Sequence, residues 1–383
     1  MIYMDNAATT KISPAAAREL FDTMMGEWGN PSSHHQLGYQ AKNKLKECRK
    51  SIAKNLGANP YEIYFTSGGT EADNWALEAA ARYGERERIG KKHIISTTFE
   101  HHAILHKLKD LEMRGFEITL LKPTFYGQIT ERDLNEAIRP DTLLVSIMSV
   151  NNEIGSIQNI ESLGKIAKTY GALFHTDAVQ GVPHIIYHLN DSPIDMLSVS
   201  AHKFNGPRGT GFLYVKKGTP LESFIYGGAQ ENGFRAGTEN LPAIAGMAVA
   251  LSERKKMIQE NTLETMAKKE YLLNCLYEIS GEDNFILNGN LSSSIPTTLN
   301  FCIRDIDGET LLALLSSDDV YCSAGSACSA GDPNPSHVLL AIGASEEVAK
   351  NSIRLSFDYN TTWSEIREVI EKIKKSVGYI RGV

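Results

Sequence analysis

The sequence predicts an α/β protein in which a large domain, built on a doubly wound and mostly parallel sheet, is joined to a smaller α+β domain. Short apolar runs alternate with helical patterns from about residue 60 to residue 215, and these runs are unbroken, as in strands buried on both faces. After Thr238 long helical patterns and mixed elements replace the alternation, which indicates the smaller domain. With 383 residues the chain is long enough for both.

The first elements are a short strand and two helices. Ser13 and Pro14 predict a helix start, because serine is a favoured N-cap and proline is favoured at the first helical position. A longer helix runs from about Gln36 to Leu56, with Gly57 as its stop and Cys48 in its apolar stripe. Strands are then predicted at 62–65, 93–97, 116–121, 143–150, 173–176, 196–199 and 212–215, with helices after residue 70 and at 102–114, 134–138 and 163–170.

The part of the chain after Thr238 begins with two predicted helices, Pro242–Ile258 and Leu263–Ile279. Mixed α and β elements follow at 297–303, 310–315, 320–323 and 352–357, and a last helix runs from residue 364 to about residue 377. We find no internal repeat and no low-complexity tract.

Composition excludes several classes of protein. A net charge of −7 argues against direct binding of nucleic acid, because a strong phosphate binder needs a basic patch. No run approaches the roughly 18 apolar residues of a membrane helix, and residues 1–5 do not begin a signal peptide, so we expect a cytoplasmic protein without membrane contact. Five cysteines, an odd number, fit a reducing compartment better than a disulfide framework.

One lysine is notable for its position. Lys203 lies at the mouth of a turn rich in glycine and proline, between the predicted strands 196–199 and 212–215. A lysine where a buried strand meets a turn can be partly desolvated, which lowers its pKa and makes the amine a nucleophile toward an aldehyde. Since most lysines in soluble proteins are simply solvated, this interpretation needs independent support.

Support comes from an acid and an anion site upstream. Asp177 closes an apolar strand, and parallel sheets bind ligands beyond the carboxyl ends of their strands. Gly68, Gly69 and Thr70 join another strand to a helix, so backbone N–H groups, a hydroxyl and the helix dipole converge on an anion. Pyridoxal 5′-phosphate needs a lysine for its aldehyde, an acid for its ring nitrogen and a phosphate site. The sequence therefore predicts a pyridoxal phosphate site.

Ten motifs, in order along nearly the whole chain, resemble those of cysteine desulfurases of the NifS/IscS type. These enzymes are class V aminotransferase relatives within the fold-type I pyridoxal phosphate enzymes. The resemblance implies a large cofactor-binding domain at 15–255 and a small domain, formed by 1–14 and 256–383, that carries Cys328. The motifs are residues 3–10, 29–33, 66–71, 100–101, 150–155, 175–180, 200–203, 235–238, 325–329 and 352–354.

The resemblance implies a role for each matched residue of the cofactor site. Lys203 would hold the aldehyde and later move protons, and Asp177 would pair with the ring nitrogen so that the ring accepts electrons. His101 would stack on the ring and act as an acid or base; His102 is its rival for that role, and a solvated histidine at a helix start is the alternative. Further cofactor contacts are implied for Gly69, Thr70, Asn152, Gln180, Ser200, His202 and, from a neighbouring subunit in a homodimer, Thr238.

Asn152 and Arg354 are the implied substrate contacts. Arg354 lies in a strand-like run, where an arginine needs a partner, and its fork suits the carboxylate of a substrate. A structural ion pair is the alternative for Arg354. Asn151 is the alternative to Asn152, but the spacing of 51 residues to Lys203 favours the second of the pair.

Cys328 distinguishes a desulfurase from its aminotransferase relatives. It lies in the run 323–336 of small and turn-forming residues, which we interpret as a mobile loop. Complete deprotonation of a thiol with a pKa of about 8.5 would gain about thirtyfold at most, whereas placing it beside the substrate sulfur contributes about 7–11 kcal/mol. Delivery by the loop therefore matters more than the pKa of the thiol.

The other cysteines are interpreted as structural. Cys48, Cys275 and Cys302 lie in apolar patterns. Cys322 lies six residues before Cys328 and is taken as mainly structural, with a resolving role through an internal disulfide left open. A metal site is not expected, because no clustered Cys or His ligands accompany this pair.

The resemblance implies that sulfur is removed from L-cysteine, leaving L-alanine and a persulfide on Cys328 for an acceptor protein. The acceptor is open: an iron–sulfur scaffold, a tRNA-thiolation enzyme or a cofactor pathway. Little sequence follows the last predicted helix, so we expect the scaffold-docking tail of some relatives to be missing. The alternatives are a selenocysteine lyase, a class V aminotransferase in which Cys328 has no task, and a non-enzymatic sulfur-relay partner, against which the complete cofactor set argues.

Overall fold

The computed structural model describes residues 1–86, 90–324 and 335–382, and within these ranges the strands form sheets of seven, four and two strands. The strands are β1 (Ile2–Tyr3), β2 (Ile63–Thr66), β3 (His93–Thr97), β4 (Glu117–Leu121), β5 (Thr142–Ser146), β6 (Leu173–Asp177), β7 (Met196–Ser200), β8 (Gly211–Val215), β9 (Phe285–Leu287), β10 (Thr298–Ile303), β11 (Val320–Tyr321), β12 (Ser323–Ala324) and β13 (Ile353–Ser356). The helices are α1 (Pro14–Gly26), α2 (Gln36–Leu56), α3 (Gly69–Arg86), α4 (His102–Met113), α5 (Glu131–Ala137), α6 (Ile160–Thr169), α7 (Leu241–Ser280), α8 (Gly308–Ser317), α9 (His337–Ala341), α10 (Glu346–Asn351) and α11 (Trp363–Arg381).

The large sheet has the strand order β2-β8-β7-β6-β5-β3-β4. β8 is antiparallel to both of its neighbours, and the other pairs are parallel. Consecutive strand residues enter different cores: Ile94 packs in the cluster that contains Trp75 of α3, and Ile95 packs in the cluster that contains residues of α2, α6 and α7. The doubly wound, mostly parallel sheet predicted from the sequence is therefore confirmed, with β8 as the exception in direction.

The smaller sheet is antiparallel, with the order β12-β13-β10-β9. Its core combines strand residues such as Leu299 and Leu355 with Leu272 of α7 and Ile366 of α11. β1 pairs in parallel with β11, so the first strand of the chain joins this second part of the molecule. The predicted domain limits at residues 14 and 255 cut neither sheet, although α7 spans the second limit, and they stay a prediction.

The predicted pair of helices after Thr238 is wrong, because α7 is one helix of 40 residues. The polar run 259–262 suggests a break, yet it contains no glycine or proline, and the Thr262 hydroxyl donates back to the carbonyl of Ile258 as helical threonines do. Despite this length, none of the helices in the described ranges is apolar enough over a sufficient stretch to cross a membrane.

Local signals place most other boundaries well. Ser13 caps α1 by accepting the N–H of Ala16, and Gly57 ends α2 with a φ of 62°. The strand predicted to reach residue 150 ends at Ser146, because residues 147–152 leave the sheet. That departure helps to form the cavity described next.

Candidate functional site

A cavity of about 560 Å³ lies beyond the carboxyl ends of β5, β6 and β7 and at the start of α3. It is the edge at which parallel sheets usually bind ligands. Ten of the twelve predicted site residues line it: Gly69, Thr70, His101, Asn152, Asp177, Gln180, Ser200, His202, Lys203 and Arg354. Thr238 is exposed and does not line this cavity, and Cys328 lies outside the described residues.

Lys203 ends the single turn of helix, Ala201–Lys203, that follows β7. Its Nζ donates to the carbonyl oxygens of Ala7 at 2.6 Å and Ala8 at 2.7 Å. The N-terminal segment therefore crosses over the lysine turn, and Thr10 fixes it there by donating from its N–H and its hydroxyl to the carbonyl of His202. The amine is held at the wall of the cavity by main-chain atoms.

Asp177 is the last residue of β6 and is 5% exposed. Its Oδ1 accepts the N–H of Val179 at 2.8 Å. Burial raises the pKa of Asp177, while the Val179 N–H and the charge of Lys203 act in the opposite direction. The carboxyl group of Asp177 lines the cavity, where it can accept a hydrogen bond from a cationic group.

The turn from β2 into α3 has the backbone form of an anion site. Gly68 has a φ of +155°, and a Cβ on Gly69 would lie 2.5 Å from Cγ2 of Val179, so both positions require glycine. The first N–H groups of a helix have no partner inside it, which leaves those at the start of α3 available to a ligand. Ser200 adjoins this turn, with its Oγ 3.5 Å from where a Cβ of Gly68 would be.

The structure separates His101 from its rival, since His101 lines the cavity and His102 does not. The ring of His102 packs instead against His106 and His337, at centroid distances of 5.0 and 4.7 Å. Nδ1 of His101 accepts the N–H of Ala103 at 3.1 Å, which assigns the proton of the neutral ring to Nε2. Burial, helped by the charge of Lys203, lowers the pKa of His101 to about 4, so the ring is neutral at pH 7.

The two asparagines separate in the same way. The side chain of Asn151 is buried in backbone hydrogen bonds: it donates to Phe99 O at 3.1 Å and accepts the N–H groups of Glu153 and Ile154 at 2.9 and 3.1 Å. Asn152 lines the cavity. Asn151 therefore shapes the loop, and Asn152 faces the space it encloses.

Arg354 enters the cavity from β13 of the smaller sheet and is 1% exposed. Its Nη2 donates to Oδ1 of Asp5 at 2.8 Å, and its Nη1 donates to the carbonyl of Asn152 at 3.0 Å. Its Nε has no hydrogen-bond partner within the described ranges. The structural ion pair that the sequence left open is thus present, and the same guanidinium also borders the cavity.

Several residues at this site were missed by the sequence analysis. Asp73 of α3 and the exposed Arg208 line the cavity, and Asp5 pairs with Arg354. Arg208 follows Lys203 within the same glycine-rich turn, which was a usable signal. For Asp5 and Asp73 no local pattern distinguishes them from solvated aspartates.

The four described cysteines are free thiols. Burial raises the pKa of Cys48 and Cys302 to about 11 and that of Cys322 to about 12, so each is a protonated, unreactive thiol at pH 7. Cys48 is buried on α2, as its apolar stripe predicted. These environments agree with structural roles for Cys48, Cys302 and Cys322.

Comparison with known proteins gives one family. The description "Aminotransferase class-V" matches residues 2–369. "Cysteine desulfurase IscS" of Methanosarcina thermophila is 41% identical over 382 residues, covering 100% of this chain and 93% of that protein.

Solved structures agree with the sequence relatives. One described as "NIFS-LIKE PROTEIN" superposes with a TM-score of 0.92 at 34% identity, covering 99% of each chain. Another, "SspA in complex with cysteine", has a TM-score of 0.83 at 35% identity, covering 94% of this chain and 100% of that one. Both likenesses extend over nearly the whole fold.

Proposed function

The chain belongs to the class V aminotransferase family and is a cysteine desulfurase, and we propose that Lys203 and Asp177 hold its pyridoxal phosphate while Cys328 receives the sulfur. The observation that carries this proposal is the meeting of a lysine, a buried acid and a glycine-built helix start in one cavity. These groups come from β7, β6 and the β2–α3 turn, which only the fold brings together.

The residues around the cavity fit this cofactor. The start of α3 and the side chains of Thr70, Ser200 and His202 suit its phosphate, because N–H and O–H donors converge on that end. Asp177 suits a protonated ring nitrogen and Lys203 suits the aldehyde. When bound, the cofactor supplies an electron sink for the α-carbon of the substrate.

The chain's own residues then have separable tasks. Arg354 binds the carboxylate of L-cysteine with donors that Asp5 and Asn152 leave free, and Asn152 borders the same space. The Nζ of Lys203 would remove the proton from the α-carbon. His101 offers its Nε2–H as a donor or acid to groups beside it, since its Nδ1 is occupied by the Ala103 N–H.

Cys328 completes the reaction by attacking the substrate sulfur as a thiolate. A sulfur–sulfur bond forms on Cys328, the carbon–sulfur bond breaks with its electron pair going to carbon, and L-alanine leaves after protonation. Both described flanks of its segment support this role. Ser323 pairs with Arg354 in the smaller sheet, and Ser336 donates to Oε2 of Glu153, the neighbour of Asn152, at 2.5 Å.

Partners follow from the same arrangement. An acceptor protein takes the sulfur from Cys328, and a second copy of the chain contributes Thr238 to the phosphate site, which agrees with the exposure of Thr238 and with its absence from the lining of the cavity of its own chain. We place the enzyme in a reducing compartment such as the cytoplasm, because a chemistry based on free thiols requires one and the described cysteines are unpaired.

The test compares three variants of the purified enzyme. Cys328→Ser should keep the visible absorbance of the bound cofactor and lose sulfide release under a reductant, because only the sulfur acceptor is removed. Cys322→Ser, which changes a buried neighbour, should retain sulfide release. Lys203→Ala should lose turnover altogether. Full activity of Cys328→Ser would exclude Cys328 as the acceptor, and full activity of Lys203→Ala would exclude the cofactor assignment.

A further inference from the structure

Three buried carboxyl groups lie at the base of the cavity, and the proposed reaction uses only one of them. Asp177 ends β6, Asp73 reaches in from α3, and Glu100 lies in the turn after β3. Asp73 and Glu100 are each 1% exposed, and Asp177 is 5% exposed. Three anions so close together in low dielectric would repel strongly, so they cannot all be ionised.

The contacts of the three groups are unequal. Oδ1 of Asp177 accepts the N–H of Val179, and Lys203 supplies a positive charge. Oδ1 of Asp73 has no hydrogen-bond partner within the described ranges, although the residue lines the cavity. One oxygen of Glu100 accepts from Thr97 Oγ1 at 2.8 Å and from Met148 N at 2.9 Å, and its other oxygen has no partner in those ranges. The structure thus compensates a negative charge best on Asp177.

The residue next to Asp73 is His175, and its imidazole ring is not readily protonated to balance a negative charge on Asp73. Nε2 of His175 lies 3.7 Å from Oδ1 of Asp73, beyond hydrogen-bond distance. Both ring nitrogens of His175 already face hydroxyls, Ser146 Oγ at 2.9 Å and Ser198 Oγ at 3.0 Å. Burial lowers the pKa of His175 to about 3, so the ring stays neutral.

Most of the groups that face Asp73 act on its pKa in one direction. Burial, Asp177 and Glu100 raise its pKa well above the usual range, and only the Ser198 hydroxyl opposes them. Burial also raises the pKa of Glu100 to about 8. The raised pKa values of Asp73 and Glu100 agree with the hydrogen bonds and charges around them, which compensate a negative charge less well than those around Asp177.

We propose that Asp73 is a positioning residue of the cofactor site, held as an uncharged carboxylic acid so that Asp177 carries the only negative charge among the three buried carboxyl groups. The inference rests on the proposed function, because that charge is the one that would face the ring nitrogen. Were Asp73 ionised instead, the two carboxylates would compete for the same positive charge. The acid form of Asp73 leaves Asp177 as the single anion of these three, while Glu71, which also lines the cavity, is paired with Arg235.

The test uses Asp73→Asn, since an amide has nearly the shape of the uncharged acid and cannot ionise. Asp73→Ser serves as a second variant if the first folds poorly, and Asp177→Asn serves as the comparison. The first measurement is the dissociation constant of pyridoxal phosphate. Asp73→Asn should stay within about threefold of the wild type, whereas Asp177→Asn should weaken binding about ten- to hundredfold through loss of a charge-assisted bond.

The second measurement needs no cofactor. A carboxyl group with a raised pKa in the folded state stabilises the fold at low pH and loses that contribution as pH rises through the folded pKa. The melting temperature of the cofactor-free wild type should therefore fall with rising pH more steeply than that of either Asp73 variant. An equal or shallower fall in the wild type would mean that Asp73 is ionised in the folded protein and would overturn the proposal, as would a tenfold loss of cofactor affinity in Asp73→Asn.

The two parts of the assignment fail separately. If Asp177→Asn binds the cofactor as well as the wild type does, the proposed role of Asp177 is wrong. The charge state of Asp73 is still decided by the cofactor-free pH series.

Discussion

Replacement of Arg354 by lysine should weaken the binding of L-cysteine selectively. A guanidinium has five N–H donors, and in this structure Asp5 and Asn152 take one each, so a fork remains for the carboxylate of the substrate. Lysine keeps the positive charge, but its ammonium group cannot bind the carboxylate through two parallel N–H donors as a guanidinium does. One charge-assisted hydrogen bond to the carboxylate is therefore lost. Such bonds contribute about 1.5–3 kcal/mol each, which corresponds to about ten- to hundredfold weaker binding.

The assay compares two ligands and two proteins. Dissociation constants of L-cysteine and of cysteamine, which is cysteine without its carboxylate, are measured for the wild type and for Arg354→Lys from the spectral change of the bound cofactor. If Arg354 binds the carboxylate, the substitution weakens the binding of L-cysteine and leaves the dissociation constant of cysteamine nearly unchanged. The logarithm of the quotient of the two ratios, multiplied by RT, then gives the energy of that contact.

A substitution that weakens both ligands equally would refute the reasoning. Arg354 would then act only through its ion pair with Asp5, by fixing the N-terminal segment against the smaller sheet. That outcome is measurable on its own, because a weakened ion pair with the buried Arg354 lowers the free energy of unfolding. The loss should stay below the roughly 3–5 kcal/mol that follows removal of one partner of a buried pair, since lysine keeps the positive charge. Urea titration of both proteins separates the two effects.

Two further substitutions, each with a control, test the close packing of Gly69 at the site and the burial of Lys269 on α7. Gly69→Ala should lower the free energy of unfolding by about 1–3 kcal/mol, because its Cβ would lie 2.5 Å from Val179 Cγ2. Gly26→Ala, at a helical position with nothing within 4 Å, should raise it by up to about 1 kcal/mol in the same urea titration. Lys269 is buried, and burial lowers its pKa to about 7, so the wild type should gain up to about 1.4 kcal/mol per pH unit as pH rises above that value. Lys269→Met should lack this gain and the exposed Lys256→Met should keep it; equal pH profiles for all three would contradict the burial argument.

The residues at strand ends were predictable because their sequence positions carry geometric information. Lys203 and Asp177 each follow an unbroken apolar run, and parallel strands bring such ends to one edge of a sheet. The glycines before α3 were predictable for a related reason, since a strand that turns at once into a helix needs them. The choice of His101 over His102 and of Asn152 over Asn151 was favoured by motif matching and spacing, and the structure places the favoured residue of each pair at the cavity.

Asp5 and Asp73 were not predictable, because their significance depends on partners far away in sequence. Asp5 meets Arg354 across 349 residues, and the pairing of β1 with β11 together with the bridge from Asp5 to Ser356 of β13 brings it there. Asp73 lies on an alanine-rich face of α3 that packs against the sheet, where an aspartate would ordinarily be expected to point toward solvent. The continuity of α7 was missed for the opposite reason: its middle is polar and exposed, and tertiary contacts at both ends maintain the helix.

The N-terminal segment sets the distance between the two ends of the substrate site. Asp5 holds Arg354 of the smaller sheet, and only two to five residues later Ala7, Ala8 and Thr10 hold the turn of Lys203 in the large sheet. An amino acid presents its carboxylate and its amine at a fixed short separation, so under the proposed function a short link between Arg354 and the turn that holds the cofactor favours that class of substrate. Since Lys203 is held by main-chain carbonyls, side-chain changes at Ala7 and Ala8 matter less than the length and path of the segment. If Arg354 and Lys203 act as proposed, the backbone of residues 5–10 favours α-amino acids as a class, and the choice among their side chains is left to the other walls of the cavity.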